Sequence, residues 1–100
     1  MAIVAVFDFS NEPIEKYEKV MELGGPAVRN QPARLSHVCY RTDTGFAVVD
    51  VWTDEQSFAA FGDTLMDYTR KAGLEARPAI YQLENIVYQD GTNLYDRKAA

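Results

Sequence analysis

The sequence holds one cysteine, Cys39, in 100 residues. No intrachain disulfide can form, and there is no cysteine cluster to bind zinc. Long apolar runs are missing too: nothing approaches the ~20 residues that cross a bilayer as a helix. Residues 1–9 do not read as a secretory leader, since the apolar stretch is short, lacks a basic start and already contains Asp8. A cytoplasmic protein with a reduced thiol is the expectation. Basic charge is in deficit, with 10 Lys and Arg against 15 Asp and Glu and a net charge of −5. That balance repels a phosphate backbone and an anionic membrane surface, so neither nucleic acid nor membrane is an expected partner. Glycine-rich phosphate loops, zinc spacings and serine-nucleophile motifs are absent. No cofactor and no metal are therefore expected.

The residues that are present describe a small globular domain, with 47% apolar and 25% charged side chains. Ile3 to Phe9 is rich in β-branched and aromatic residues and reads as a strand that is apolar on both faces. Ser10 and Asn11 are N-cap candidates, and Pro13 suits a first helical turn. Ile14, Tyr17, Val20, Met21 and Gly24 then recur at helical spacing, and Gly24-Gly25-Pro26 is a stop. Ala27 to Ala33 reads as a loop. Arg34–Arg41 and Phe46–Trp52 read as two strands of a hairpin around Thr42-Asp43-Thr44-Gly45, with Gly45 able to take a positive φ. Thr53 with Gln56 three residues on fits a capping box. Phe58, Phe61, Leu65, Tyr68, Thr69 and Ala72 form the apolar stripe of a second helix ended by Gly73. Pro78 to Tyr88 reads as a last strand, and residues 89–100 as a tail or arm, with Tyr88 and Tyr95 favouring the arm.

The order is βαββαβ over residues 1–88. It predicts an α+β ferredoxin-like fold, a four-stranded antiparallel sheet with two helices on one face. The other sheet face would keep large apolar residues exposed, which is an association hazard. A homodimer that packs sheet on sheet is the expected remedy.

A hairpin loop of two or four residues places Arg41 opposite Phe46, Cys39 opposite Val48, His37 opposite Asp50 and Leu35 opposite Trp52. A three-residue loop would place Val38 opposite Asp50. In the first register His37, the only histidine, meets a carboxylate that fixes its tautomer and raises its basicity, as a general base requires. Asp50 and Trp52 share a face. Ala47, Val49 and Val51 share the other, and this small apolar set suits packing under helices. His37 and Asp50 are the candidate catalytic residues. Trp52, Tyr68 and Tyr17 are candidate substrate-binding residues, by stacking or by hydroxyl hydrogen bonds to a phenol or enol. Tyr40 and Tyr81 are weaker candidates of the same kind, and Arg29 and Arg34 flank a loop where an acidic group could bind. The bland alternative is a cross-strand polar pair with tyrosines at the core edge.

The run Asp50-Val51-Trp52-Thr53-Asp54-Glu55-Gln56-Ser57-Phe58 resembles the junction of third strand and second helix in the dimeric α/β-barrel superfamily. Within it, the chain is similar to the antibiotic-biosynthesis-monooxygenase-like domains. The resemblance covers about residues 1–88 and implies a pocket between sheet and helices. It also implies a homodimer and a range of activities: cofactor-free oxygenation, haem degradation, polyketide cyclisation, isomerisation. Many such domains carry a His three residues after the Phe. Here that position is Phe61, so haem binding through a His of the second helix is not expected, and haem ligation would need Tyr68 or Met66. The expected function is a cofactor-independent monooxygenase, isomerase or cyclase acting on a small aromatic or polyketide-like substrate. The alternative is a non-catalytic ligand-binding or accessory dimer.

Overall fold

The computed structural model describes residues 1–94. The order is β1 (Ile3–Ser10), α1 (Ile14–Gly24), α2 (Pro26–Arg29), β2 (Arg34–Arg41), β3 (Gly45–Trp52), α3 (Glu55–Ala72) and β4 (Ala79–Gln82). The four strands form one antiparallel sheet in the order β2-β3-β1-β4. The α+β, ferredoxin-like expectation agrees with this sheet. The structure adds the one-turn α2, where a loop was expected. Pro26 occupies its first turn, where the missing N–H costs nothing, and Val28 is buried beneath it.

Local chemistry places each boundary. Asn11 ends β1 with φ 65°, a conformation asparagine tolerates better than most residues, and its N–H donates to the Thr44 carbonyl at 2.8 Å. The N-cap of α1 falls at Pro13 without a side-chain cap; the Ser10 hydroxyl, expected as a cap, donates instead to Asp8. In α3 the cap is Asp54 rather than Thr53. Its Oδ1 accepts from the Ser57 N–H at 2.7 Å, and Thr53 Oγ1 donates to Asp54 Oδ2. Gly45 does not take a positive φ. A Cβ there would lie 2.2 Å from the Phe9 carbonyl oxygen, so close approach of β1 is what requires glycine.

The core lies between the sheet and the helices. Ile3, Ala5, Phe7 and Phe9 of β1 meet Phe46, Val48 and Trp52 of β3, with Val20, Phe58 and Phe61 above them. This corrects the facing of β3. Phe46, Val48, Asp50 and Trp52 point under the helices, and Ala47, Val49 and Val51 lie on the opposite face with Val4 and Val6. Close packing explains the choice: aromatic rings fill the deep gap between sheet and helices, and short side chains make a flat outer face.

The last strand is shorter than expected. β4 pairs with β1 only over Ala79–Gln82, because Ile3, the first residue of β1, already faces Gln82. Beyond it the chain makes a turn in which Tyr88 N–H donates to Thr92 O, Gly91 has φ 87°, and Val87 bridges Asn93. Leu94 is buried. Tyr95, one of the two tyrosines of the expected arm, lies outside the described residues.

Candidate functional site

Four residues, Thr42 to Gly45, separate the paired Arg41 and Phe46, Gly45 pairing with β1 instead, and this gives the expected register, with Arg41 opposite Phe46, Cys39 opposite Val48 and His37 opposite Asp50. A bulge between Arg34 and Ser36 breaks it lower down, so Arg34 rather than Leu35 faces Trp52. His37 Nδ1 lies 2.5 Å from Asp50 Oδ1. The second carboxylate oxygen accepts from the Trp52 indole N–H at 3.3 Å. Asp50 is 2% exposed, and a buried carboxylate is tolerable only with such partners.

On its other side His37 meets Tyr17. The tyrosine hydroxyl is 2.7 Å from His37 Nε2, and the two rings are nearly parallel with centroids 6.0 Å apart. In the neutral imidazole with its proton on Nδ1 facing Asp50, Nε2 accepts from the Tyr17 hydroxyl. Burial, and secondarily the anionic influence of Cys39 and Asp50, pushes the Tyr17 hydroxyl above its ordinary 10.0; Arg34 and Arg29 oppose this without cancelling it. Tyr17 therefore keeps its proton at neutral pH. The result is a chain of hydrogen bonds, Tyr17–His37–Asp50–Trp52, that links α1 to β2 and β3.

Tyr17, His37, Asp50 and Arg34 line a cavity of about 50 Å³ whose remaining wall is apolar apart from Thr69, and includes Phe46, Val48 and Phe61. Arg34 donates from Nη2 to the carbonyls of Val28 and Arg29, both at 3.0 Å, and its guanidinium lies 5.8 Å from the Trp52 ring centroid and 5.6 Å from that of Phe61. It is a cation fixed near the site by α2 and by two aromatic rings.

The structure thus joins His37, Asp50 and Tyr17. It separates the other two sequence candidates from the cavity lining. Trp52 is fully buried against Phe58 and Phe61 and meets the site through its N–H on Asp50 and through the Arg34 guanidinium near its ring. Tyr68 packs at the edge of the core, near Gly24 and under the Lys71 ammonium. Cys39 is half-buried beside the site, and desolvation raises its thiol pKa. Thr69 and Leu74, which also line the cavity, were not legible as site residues, since one sits in a helical apolar stripe and the other beyond the helix stop. Among the described residues no three His, Cys, Asp or Glu side chains gather as a metal cluster.

No family model matches the chain, and no curated protein matches it. Solved structures do. A mutant of SnoaB, a cofactor-independent oxygenase from Streptomyces nogalater, with one asparagine changed to alanine, matches with a TM-score of 0.59 at 16% identity, over 88% of this chain and 96% of that one. A conserved protein from Methanosarcina mazei Go1 matches with a TM-score of 0.62 at 17% identity, over 84% and 94%. A monooxygenase from the gene ActVA-Orf6 of Streptomyces coelicolor, in complex with the ligand nanaomycin D, matches with a TM-score of 0.51 at 19% identity, over 87% and 90%. At these identities the chain shares their fold. No helix of the described residues is long and apolar enough to cross a membrane.

Proposed function

We infer that the protein is a small cofactor-independent enzyme of the monooxygenase type, acting on an aromatic, polyketide-like substrate. The observation that carries this reading is the Tyr17–His37–Asp50 chain at the wall of a largely apolar cavity. Its chemistry is proton abstraction. A substrate hydroxyl or activated C–H gives its proton to the Tyr17 oxygen as the tyrosine proton moves to His37 Nε2. The imidazolium so formed faces the buried Asp50 carboxylate, which stabilises it. Arg34 adds positive potential where the substrate becomes anionic. The resulting phenolate or enolate reacts with dioxygen or with another part of the same molecule. The fold is shared with two named oxygenases, which supports the substrate class by analogy.

The test is oxygen uptake and product formation with a panel of anthrone-type and quinol substrates. His37→Ala and Tyr17→Phe should each lose about 100- to 10,000-fold in kcat. Equal turnover by the wild type and both variants would remove the acid–base chain from the mechanism.

A non-catalytic ligand-binding role is favoured by one observation: His37 Nε2 already has Tyr17 as its partner. Tight binding of the same compounds with no turnover would select that role. In either role the unit is expected to be a homodimer in the reduced cytoplasm. The support is the outer sheet face, where Val38 is 52% exposed, Tyr40 48% and Tyr81 61%, beside Val4, Val6 and Val49.

A further inference from the structure

Two hollows meet at one wall. The first is the cavity of about 50 Å³ at Tyr17 and His37. The second is a cleft of about 590 Å³ between α3 and the segment from Leu74 to Pro78. Phe7, Leu65, Thr69 and Leu74 line both. Sites for small organic ligands measure roughly 300–1,000 Å³. The cleft has that size but not the acid–base chain. The cavity has the chain but not the size.

Of the four wall residues, Leu74 stands apart. Phe7 is fixed in β1, and Leu65 and Thr69 are fixed in α3. Leu74 begins a stretch that belongs to no helix or strand until β4 starts at Ala79. It is nonetheless 7% exposed and part of the core cluster. The end of α3 holds it there. Gly73 takes φ 77° and donates to the Arg70 carbonyl, and the Leu74 N–H donates to the Thr69 carbonyl at 2.8 Å. These two bonds are a Schellman motif, which characteristically presses the residue after the glycine back onto the helix.

We propose that Leu74 is a movable partition and that the cleft is the outer half of the ligand site. When the Leu74 side chain swings out, the cleft and the cavity become one space. That space takes a polycyclic aromatic molecule whose leading ring is apolar and whose trailing end is polar. The leading ring displaces Leu74 and lies beside Tyr17, within the apolar lining. The trailing end rests in the cleft, where Asp63, Arg70 and Arg77 are part of the lining. Exposing leucine is unfavourable in the empty protein, and the ring offsets this by filling the same volume. The proposal rests on reading the Tyr17–His37 cavity as a ligand site, and it adds the space that the occupant fills and the occupant's shape.

The chain has one tryptophan, Trp52, packed on Phe61, and Phe61 lines the cavity. Its fluorescence therefore reports on filling. Stopped-flow binding of 1,8-dihydroxyanthraquinone is measured for the wild type, Leu74→Ala, Leu74→Phe and Leu74→Met. The association rate constant should rise several-fold in Leu74→Ala, fall in Leu74→Phe and stay near wild type in Leu74→Met. Should Leu74→Ala not fold, Leu74→Phe and Leu74→Met carry the comparison. Equal association rate constants in all folded variants overturn the proposal. Amide chemical shifts in the same titration should move at both Tyr17 and Gly62; changes confined to the cleft also overturn it. The measurement needs no turnover. Leu74-dependent binding without turnover removes the enzymatic reading and leaves the partition. Turnover with Leu74-independent binding removes the partition and leaves the enzyme.

Discussion

At the residue scale the protein turns on how one buried carboxylate is satisfied. Asp50 has two side-chain hydrogen-bond partners, the His37 ring and the Trp52 indole. Trp52→Phe keeps an aromatic ring but leaves one carboxylate oxygen short of that donor. It should cost about 1–3 kcal/mol in denaturant unfolding, the penalty for an unsatisfied buried polar group. Tyr17 gives a pH prediction. Its hydroxyl pKa in the folded protein is raised above 10.0, first by burial. A group with a raised folded pKa contributes stability fully below its unfolded pKa and loses it as pH rises through the folded one. The contribution from Tyr17 is therefore complete at neutral pH and declines only in the alkaline range above 10.0. A tyrosinate absorbance titration of the native protein should show one late-titrating group that Tyr17→Phe removes. An unchanged titration curve would mean that Tyr17 is not the shielded tyrosine.

At the element scale two joints decide the geometry. The first is where β1 passes the β2–β3 turn. A Cβ on Gly45 would lie 2.2 Å from the Phe9 carbonyl oxygen and 3.1 Å from both Asn11 N and Glu12 O. Backbone cannot yield as a flexible side chain does, so Gly45→Ala should destabilise by roughly 1–3 kcal/mol or more. Gly62, where a Cβ meets nothing within 4 Å, is the control and should tolerate alanine. The second joint is the start of α3. Hydrogen bonds from the Ser57 backbone N–H and hydroxyl, and then from Thr53, hold Asp54 below its ordinary 3.8. With the folded pKa lowered, its stabilising effect is present above the unfolded value and is lost as pH falls through the folded one. Asp54→Ala should lower Tm at neutral pH, and the difference from wild type should vanish in strong acid. Asp54→Asn should stay close to wild type, because asparagine also caps. A larger loss from Thr53→Ala than from Asp54→Ala would contradict the observed cap.

At the scale of the whole molecule the sheet has one face filled by aromatic rings under the helices and one face mainly of valine, alanine and tyrosine, with Asp8 and Ser36 among them. The outer face runs across all four strands, from Val38 and Tyr40 at one edge to Tyr81 at the other. Light scattering behind size exclusion should give twice the chain mass. Val38→Glu together with Val49→Glu should return it to the chain mass with the helical signal retained. A monomeric wild type at micromolar concentration would remove the dimer from the proposed function and leave the Tyr17–His37 cavity untouched.

The sequence by itself determined the order of the four strands and the two longer helices, though not the one-turn α2, because periodicity, proline and glycine act locally: the helix over Ile14–Gly24, the hairpin, and the long helix ended by Gly73 were all legible. It narrowed the hairpin to two registers, because loop length fixes strand pairing, and the structure selected the one that sets His37 opposite Asp50. The tertiary structure decided which face of β3 goes under the helices. Both faces are apolar, so alternation alone is indifferent, and only the volume to be filled by Phe46 and Trp52 against Phe58 and Phe61 breaks the tie. It decided the partner of His37 Nε2 as well, since Tyr17 is 20 residues away on α1 and no local rule aims one apolar helix stripe at one strand residue. It put Arg34 opposite Trp52 through a bulge, and it set Leu74 on the wall shared by the cavity and the cleft, where the end of α3 packs against the sheet.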